Sequence, residues 1–559
     1  MNIDYVALVL LLATLATTGR VFLTIGLAIL TGWLLGYLAL KSRAFESAYV
    51  SISGVLESVP VISFFPVVLV FFISYVRGYL GVELAADFLV FTAVVWNIWM
   101  GIYQAFKTVP LPMLEVVENL RYGFFSKMRR LYIPFSMPRI AANLIPSFAD
   151  AFFYITVSEV VAIGTTSYRV FGIGSELATL TSELGTNPSA TAEIAVGLAE
   201  LAAVVVVVTL GLRRFANWAA AKYAIDSPLV PSRRGGRRRT WGVLSRYYVP
   251  LERRFGALAR RGGAAVATGF QTIAALRPRL RPLERQRSAG KPVADLAVKT
   301  VGVAILLLLL YGAVKAILST SYSTWAYLIS YTPAILEGLA YDYLRVLVIA
   351  AVSFVFAIFV GYAMAFHRRV EGALMPLLQA YSAFPAPAYF PLLFAATYAL
   401  TYRVFGGLGN EVYVTFLGFI STFYYILYSY WMGLKALPVE VVELVRNLRM
   451  GFFRALFKVY IPSTLPYIVT GLTSTIDSAW GGLMIGEYWP SIYGSHNLEV
   501  THGIMKILDV ATAQGNIALA SWASFVFALL VVAFAMGFTR HLMDVSRRKY
   551  VIEESVFAA

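Results

Sequence analysis

Long apolar runs separated by short polar interruptions dominate the chain, and their length sets the first expectation. A helix rises about 1.5 Å per residue, so about 20 apolar residues cover a hydrocarbon core of about 30 Å. In the first half such runs occupy Val21 to Leu40, Ile52 to Val76, Leu84 to Phe106, Ala141 to Ile163 and Ala192 to Leu212. In the second half they fall at Val301 to Leu318, Val346 to Phe366, Leu378 to Tyr398, Val412 to Leu434, Tyr467 to Trp489 and Ile517 to Phe538. The opening run, Ile3 to Thr18, is shorter and stops at Thr17-Thr18-Gly19-Arg20. It has neither a basic leader nor a small-residue cleavage site, so it is not expected to be a removed signal peptide. The pattern predicts an all-α polytopic membrane protein with 11 spans, or 12 if the opening run also crosses.

The polar interruptions give an orientation and reveal a repeat. Short cytoplasmic loops collect Lys and Arg, which places Lys41-Ser42-Arg43, the loops near residues 115 and 443, and a basic segment from Arg213 to Lys299 on the inner side. Only Arg20, Arg77, Arg169, Arg345, Arg403 and Lys506 remain for the outside. The stretch EVVENLRYGFFSKMRRLYIPFSMP (Glu115 to Pro138) returns as ELVRNLRMGFFRALFKVYIPSTLP (Glu443 to Pro466), identical at 12 of 24 positions. Displaced by 325 residues, Arg20, Gly36-Tyr37, Arg43, Glu46, Pro60 and Pro66 fall on Arg345, Gly361-Tyr362, Arg368, Glu371, Pro385 and Pro391. From the loop onward the displacement is 328, and Glu159 falls on Glu487. Both halves then carry a five-span core in the same orientation, a parallel repeat about an axis along the membrane normal.

The duplicated stretch resembles the EAA loop of importer-type ABC transporter permeases, a short cytoplasmic helix that couples the membrane subunit to its ATPase. Here the triplet reads Glu115-Val116-Val117 and Glu443-Leu444-Val445. The family's motif glycine, six residues after the Glu, is replaced by Arg121 and Arg449, and each copy has a Gly two residues later, Gly123 and Gly451. The resemblance implies that Glu115, Arg121, Gly123 and Phe124, with Glu443, Arg449, Gly451 and Phe452, form ATPase-coupling surfaces. Val157-Ser158-Glu159, Phe171-Gly172-Ile173-Gly174 and Ile485-Gly486-Glu487 look most like the nitrate/sulfonate/taurine branch. It further implies two separate ATPase subunits carrying ATP and Mg, a solute-binding protein outside, no cofactor on this chain, and import of a small anion such as nitrate or a sulfonate. The expected location is the plasma membrane, and no enzymatic activity is expected of this polypeptide itself.

Composition agrees with this class. With 59% hydrophobic and 14% charged residues, the chain has too little polar surface for a water-soluble fold of 559 residues. The absence of cysteine removes disulfides, thiolate catalysis and Cys-ligated metals, and His496 and His502 have no carboxylate cluster at metal-binding spacing, so no metal is expected. The net charge of +16 lies wholly between Arg213 and Lys299, where 20 Lys/Arg face four Asp/Glu. Charge of this kind holds a segment on anionic lipid headgroups, and no nucleic-acid partner is expected. No GxxxxGK[ST] phosphate loop occurs; Gly290-Lys291 is followed by Pro292. The expected domains are a first membrane domain (1–212), the basic linker (213–297), a second membrane domain (298–550) and a tail (551–559).

Candidates for the pathway follow from breaks and buried charge. Pro60, Pro66, Pro385 and Pro391 interrupt spans, and backbone freed by proline in a bilayer must be buried in protein or line a cavity. Asp150 lies about 15 Å into its span, Asp477 one position off its repeat mate, and such carboxylates mark pathways or satisfied packing groups. Glu159 and Glu487 end the same spans and could bond across a pore. Arg20 and Arg345, at the outer ends, are candidate anion contacts. On the loop helix, Phe124, Phe125, Met128 and Leu131 are expected on one face and Lys127, Arg129 and Arg130 on the other. Two other classes stay open: an ion-coupled secondary transporter, with only Asp150 and Asp477 as coupling carboxylates, and a membrane scaffold, which leaves the duplicated loop unexplained.

Overall fold

A computed structural model describes residues 3–58, 78–163, 166–184, 186–223, 318–493 and 496–539, with isolated positions besides. Pro60, Pro66, nearly all of Val301 to Leu318, the linker from residue 224 to 297 and the tail 551–559 lie outside the described residues. The first half runs α1 (Ile3–Lys41), α2 (Arg43–Ser58), α3 (Tyr79–Lys107), α4 (Leu111–Asn119) and α5 (Phe124–Ser158). A hairpin of β1 (Val160–Ile163) and β2 (Thr166–Arg169) follows, then α6 (Ile173–Ser182) and α7 (Ala190–Tyr223). The second half runs α8 (Tyr322–Phe366), α9 (Arg368–Ser382), α10 (Ala386–Phe405), α11 (Gly409–Ala436), α12 (Val439–Asn447), α13 (452–463) and α14 (Leu465–Gly486). After it come β3 (Tyr488–Tyr493), β4 (His496–Glu499), α15 (Ile504–Ala513) and α16 (Ile517–Phe534). Among the described residues, seven helical stretches are long and apolar enough to cross a membrane.

Several expected boundaries move. Ile3 to Thr18 and Val21 to Leu40 form one 39-residue helix, because Gly19 sits inside it without a break and Arg20 finds carboxylate partners beside it. At 1.5 Å per residue α1 is about 58 Å long, so part of it must project beyond the hydrocarbon. The expected span Leu378 to Tyr398 is two helices. α9 stops at Ser382, and Pro385, with its fixed φ and no N–H, starts α10 as its N-cap. Pro391, in contrast, lies buried inside an unbroken α10. α7 continues past the expected boundary at Leu212 to Tyr223, since RRFANWAAAKY favours helix. The two antiparallel hairpins, pairing Val160 with Arg169 through Ile163 with Thr166, and Tyr488 with Glu499, were absent from the expectation. Four-residue strands give too short an alternation to stand out beside apolar spans.

Packing is built the same way in each half. α3 lies against α1 and α5, and α11 against α8 and α14. α11 and α14 approach closest where Gly418 faces Gly482, whose added Cβ would lie 2.7 Å from the Gly418 Cα. Small residues at such crossings let helix backbones meet where lipid offers no hydrophobic gain. Ala85 and Leu89 of α3 join the second half's core, while Ala383 and Ala388 join the first half's. The inner ends carry matched ion pairs, Lys107 with Glu46 and Lys435 with Glu371 (2.9 Å).

Candidate functional site

The duplicated loops have one local structure twice. α4 ends with Arg121 N–H donating to the Glu118 carbonyl (2.9 Å) and Tyr122 N–H to the Val117 carbonyl (3.2 Å). α12 ends with Arg449 N–H to Arg446 (3.0 Å) and Met450 N–H to Val445 (3.2 Å). This is a Schellman cap, whose first residue past the cap must be left-handed and is usually glycine. Arg121 (φ 50°) and Arg449 (φ 47°) occupy that position, at about 1–2 kcal/mol each relative to a right-handed residue. The left-handed turn is therefore made by the arginines. Gly123 and Gly451 have ordinary extended φ values of −68° and −63°, and an added Cβ at either would meet no atom of this chain within 4 Å.

Beyond the turn, a π-helical turn at Met128–Tyr132 and another at Leu456–Tyr460 re-phase the helix. Met128 and Leu131 are buried, and Phe124 and Phe452 rest edge-on against Tyr37 and Tyr362 (both 5.0 Å). Phe125 departs from the expected apolar face. It is 84% exposed and its mate Phe453 62%, at the very start of each helix, before the face turns onto the core. Glu115 and Glu443 are exposed on α4 and α12, and neither has a hydrogen bond or ion pair among the described residues.

At the other end of α5 and α14, Arg20 and Arg345 are fastened into two matching clamps. Thr17 Oγ1 donates to Glu159 Oε1 (2.6 Å) and accepts from the Ile173 N–H (3.0 Å), while the Gly174 N–H donates to Glu159 Oε2 (2.7 Å). Arg20 donates to Glu83 (2.5 Å), Glu159 (3.2 Å) and the Phe171 carbonyl (2.8 Å). In the second half, Asp342 takes the place of Thr17 and accepts from the Ile504 N–H (2.7 Å), while Glu487 accepts from Met505 (3.0 Å) and Lys506 (3.1 Å). Arg345 donates to Asp342 (2.5 Å), twice to Glu411 (2.7 and 2.8 Å) and to the His502 carbonyl (2.7 Å), and lies 3.5 Å from Glu487. The carboxylates cap the N-termini of α6 and α15, satisfying N–H groups that have no partner inside the helix.

These clamps correct two expectations. Glu159 and Glu487 do not meet across a pore; each is fully buried and bonded inside its own half. Arg20 and Arg345 are not free for an anionic solute, because carboxylates already hold both guanidinium groups. Partial signals lay in the sequence. The 325-residue pairing of Arg20 with Arg345 was one, and Gly172 another, since an added Cβ there would strike the Glu159 carboxylate, as one at Gly503 would strike Glu487.

The halves meet at a cavity of about 390 Å³ near the hairpins. α5, β1, β2 and α6 form one wall, and α10, α14, β3 and α15 the other. Pro391 and Pro387 line it, and its polar groups include Thr156, Arg169, Thr181, Ser491, Asp509 and Thr512. Arg169 donates to Thr179 (2.7 Å) and is otherwise exposed. Desolvation pushes the Asp509 carboxyl well above the usual carboxylate range, which favours its neutral form. Arg169 and Asp509 were not among the expected site residues, since neither is repeated and neither lies in a span. About six residues deeper along α5, the Tyr425 hydroxyl of the other half donates to Asp150 (2.5 Å). Asp477 is half-buried on α14, without a hydrogen bond or ion pair among the described residues.

Residues 353–548 match the family described as the inner membrane component of binding-protein-dependent transport systems. Over that third of its length the chain is similar to this family. Among its relatives, the bicarbonate transport system permease protein CmpB of Synechococcus elongatus is 27% identical over 137 residues, 24% of this chain and 46% of CmpB. The taurine transport system permease protein TauC of Escherichia coli is 26% identical over 177 residues, 32% of this chain and 61% of TauC. The nitrate import permease protein NrtB of Leptolyngbya laminosa is 26% identical over 186 residues, 31% of this chain and 63% of NrtB. The chain thus spans about half to three-fifths of the length of these curated relatives. The match lies in the second half and includes the second loop with Glu411 and Glu487 of the second clamp, while Asp342 and Arg345 precede it on α8.

Proposed function

We propose that this permease forms the translocation pathway of an ATP-driven importer for a small anion, with both membrane halves in one polypeptide. The observation that carries this reading is the duplicated loop, with the same cap, the same left-handed arginine and the same exposed phenylalanine in each half of a chain whose second half is similar to that family. Two docking surfaces suit two ATPase subunits, which would bring ATP and Mg. The matched clamps and inner ion pairs support two parallel repeats of five or six spans, 11 in all, since the opening run continues into Val21 to Leu40 as one helix. The domains follow, with the first boundary moved from 212 to the end of α7: membrane halves at 1–223 and 298–550, a cytoplasmic linker at 224–297 on the lipid surface and a tail at 551–559. A solute-binding protein outside would deliver the ligand, so the permease needs no long-range steering field of its own.

In this reading the cavity between the halves is the outer part of the pathway. Arg169 is its cationic donor, surrounded by hydroxyls, beside an Asp509 carboxyl whose neutral form burial favours, and that chemistry suits the bicarbonate, taurine and nitrate named for the relatives. Ala178 and Ala513 stand on opposite walls. Ala178→Trp with Ala513→Trp should lower anion uptake by more than about tenfold by filling a space of small-ligand size, with assembly unchanged, and Arg169→Gln should raise the concentration needed for half-maximal uptake. Uptake by reconstituted vesicles containing the permease and its ATPase is the measurement; wild-type uptake from the double tryptophan variant would refute the pathway assignment.

The side of the linker can be tested separately, because the chain contains no cysteine. A cysteine introduced at Ser232 is expected to react with a membrane-impermeant maleimide only after the membrane is opened. Labelling in intact cells would invert the orientation.

A further inference from the structure

At each loop two residues stand where the chain's own fold would choose otherwise. Arg121 and Arg449 hold a left-handed position that glycine would fill without strain. Gly123 and Gly451 hold an extended position open to any side chain, where an added Cβ meets nothing. All four are exposed, and neither arginine side chain has a partner among the described residues. The same exchange occurs in both halves, although half of the aligned positions around it differ. Backbone strain kept at matched exposed positions points to a use outside the chain. So does a glycine without an internal reason, since glycine admits close approach of another backbone.

Resting on the importer reading above, we propose that each ATPase subunit packs its backbone directly against Gly123 or Gly451 and offers a carboxylate to the neighbouring Arg121 or Arg449. The left-handed cap turns the arginine out of the α4 or α12 surface, and the exposed Phe125 or Phe453 supplies the apolar contact beside it. A guanidinium pairs with a carboxylate through two parallel hydrogen bonds, which fixes orientation as well as affinity. An anionic lipid headgroup would also attract the arginine. A fluid headgroup, however, gives no reason for glycine at 123 and 451.

The test co-expresses the full permease with its ATPase subunit and measures association of the purified components, alongside thermal unfolding of the permease alone. Arg121→Asn with Arg449→Asn keeps a residue tolerant of the left-handed turn and removes the charge. Gly123→Ala with Gly451→Ala adds only two methyl groups. Both double variants are expected to unfold at the wild-type temperature or above it and to bind the ATPase about tenfold more weakly or worse, the loss typical of a charged hydrogen bond. Wild-type affinity in both variants would overturn the proposal while leaving the importer reading intact. A lower unfolding temperature in the glycine variant would also overturn it, by giving the glycines an internal role. If the arginine variant alone changed, and only in vesicles containing anionic lipid, the headgroup would replace the ATPase. A wild-type permease that bound no ATPase would remove both this proposal and the reading beneath it.

Discussion

Arg345→Ala is expected to destabilise the permease by about 3–5 kcal/mol, the usual consequence of removing one member of a buried ion cluster. Arg345 is 4% exposed and holds Asp342, Glu411 and Glu487 together, with Asp342 and Glu487 fully buried. Without the guanidinium, two buried carboxylates must either remain charged without a cation or take up protons. Both routes weaken the seat of α15 and the β3–β4 hairpin, because Asp342 and Glu487 hold the N–H groups of Ile504, Met505 and Lys506. Arg20→Ala should cost less, since the Arg20 side chain is 11% exposed against 5% for Arg345 and Thr17 replaces the third carboxylate. Thermal unfolding of the detergent-purified protein reads both. If either variant unfolded like wild type and lost only anion uptake, the arginines would be solute contacts and the clamp would have no structural weight.

The double variant Glu115→Lys, Glu443→Lys is expected to abolish ATP-driven uptake. Both glutamates are exposed, and the turns beside them already carry Arg121, Arg129 and Arg130 in one half and Arg446, Arg449 and Arg454 in the other. Reversal leaves Glu118 and Glu440 as the remaining carboxylates of α4 and α12 and each loop strongly basic. If each glutamate faces a basic group on an ATPase, truncating such a pair costs upwards of 2 kcal/mol, or about thirtyfold in affinity, and reversal adds repulsion. The exposure of both side chains predicts little change in the stability of the permease itself. Copurification with the ATPase and uptake by vesicles check the two parts. Undiminished copurification and uptake together would show that the loops do not couple through these residues.

The sequence by itself determined the class of molecule and the address of its loops. Apolar run lengths mark membrane helices because hydrocarbon thickness fixes how many residues cross it, and that relation needs no tertiary information. Duplicated polar stretches were legible for a similar reason: Glu115 to Pro138 and Glu443 to Pro466 are read along the chain, residue by residue. What the sequence left open was every relation across space. Arg20 and Arg345, at the outer ends of apolar helices, looked available to an anion because their partners, Glu83, Glu159, Glu411 and Glu487, lie 63 to 142 residues away. Only folding brings those carboxylates to the guanidinium groups, and a charge's role depends on what neutralises it. The turn was undecided in the same way. Replacement of a motif glycine by arginine was visible, but whether the chain would relocate its left-handed residue to Gly123 depended on hydrogen bonds from Arg121 and Tyr122 back into α4. The cavity is the plainest case. Arg169 and Asp509 are 340 positions apart, in a hairpin and a short helix without repetition or periodicity to mark them, and they line one cavity only because two halves of one chain pack face to face.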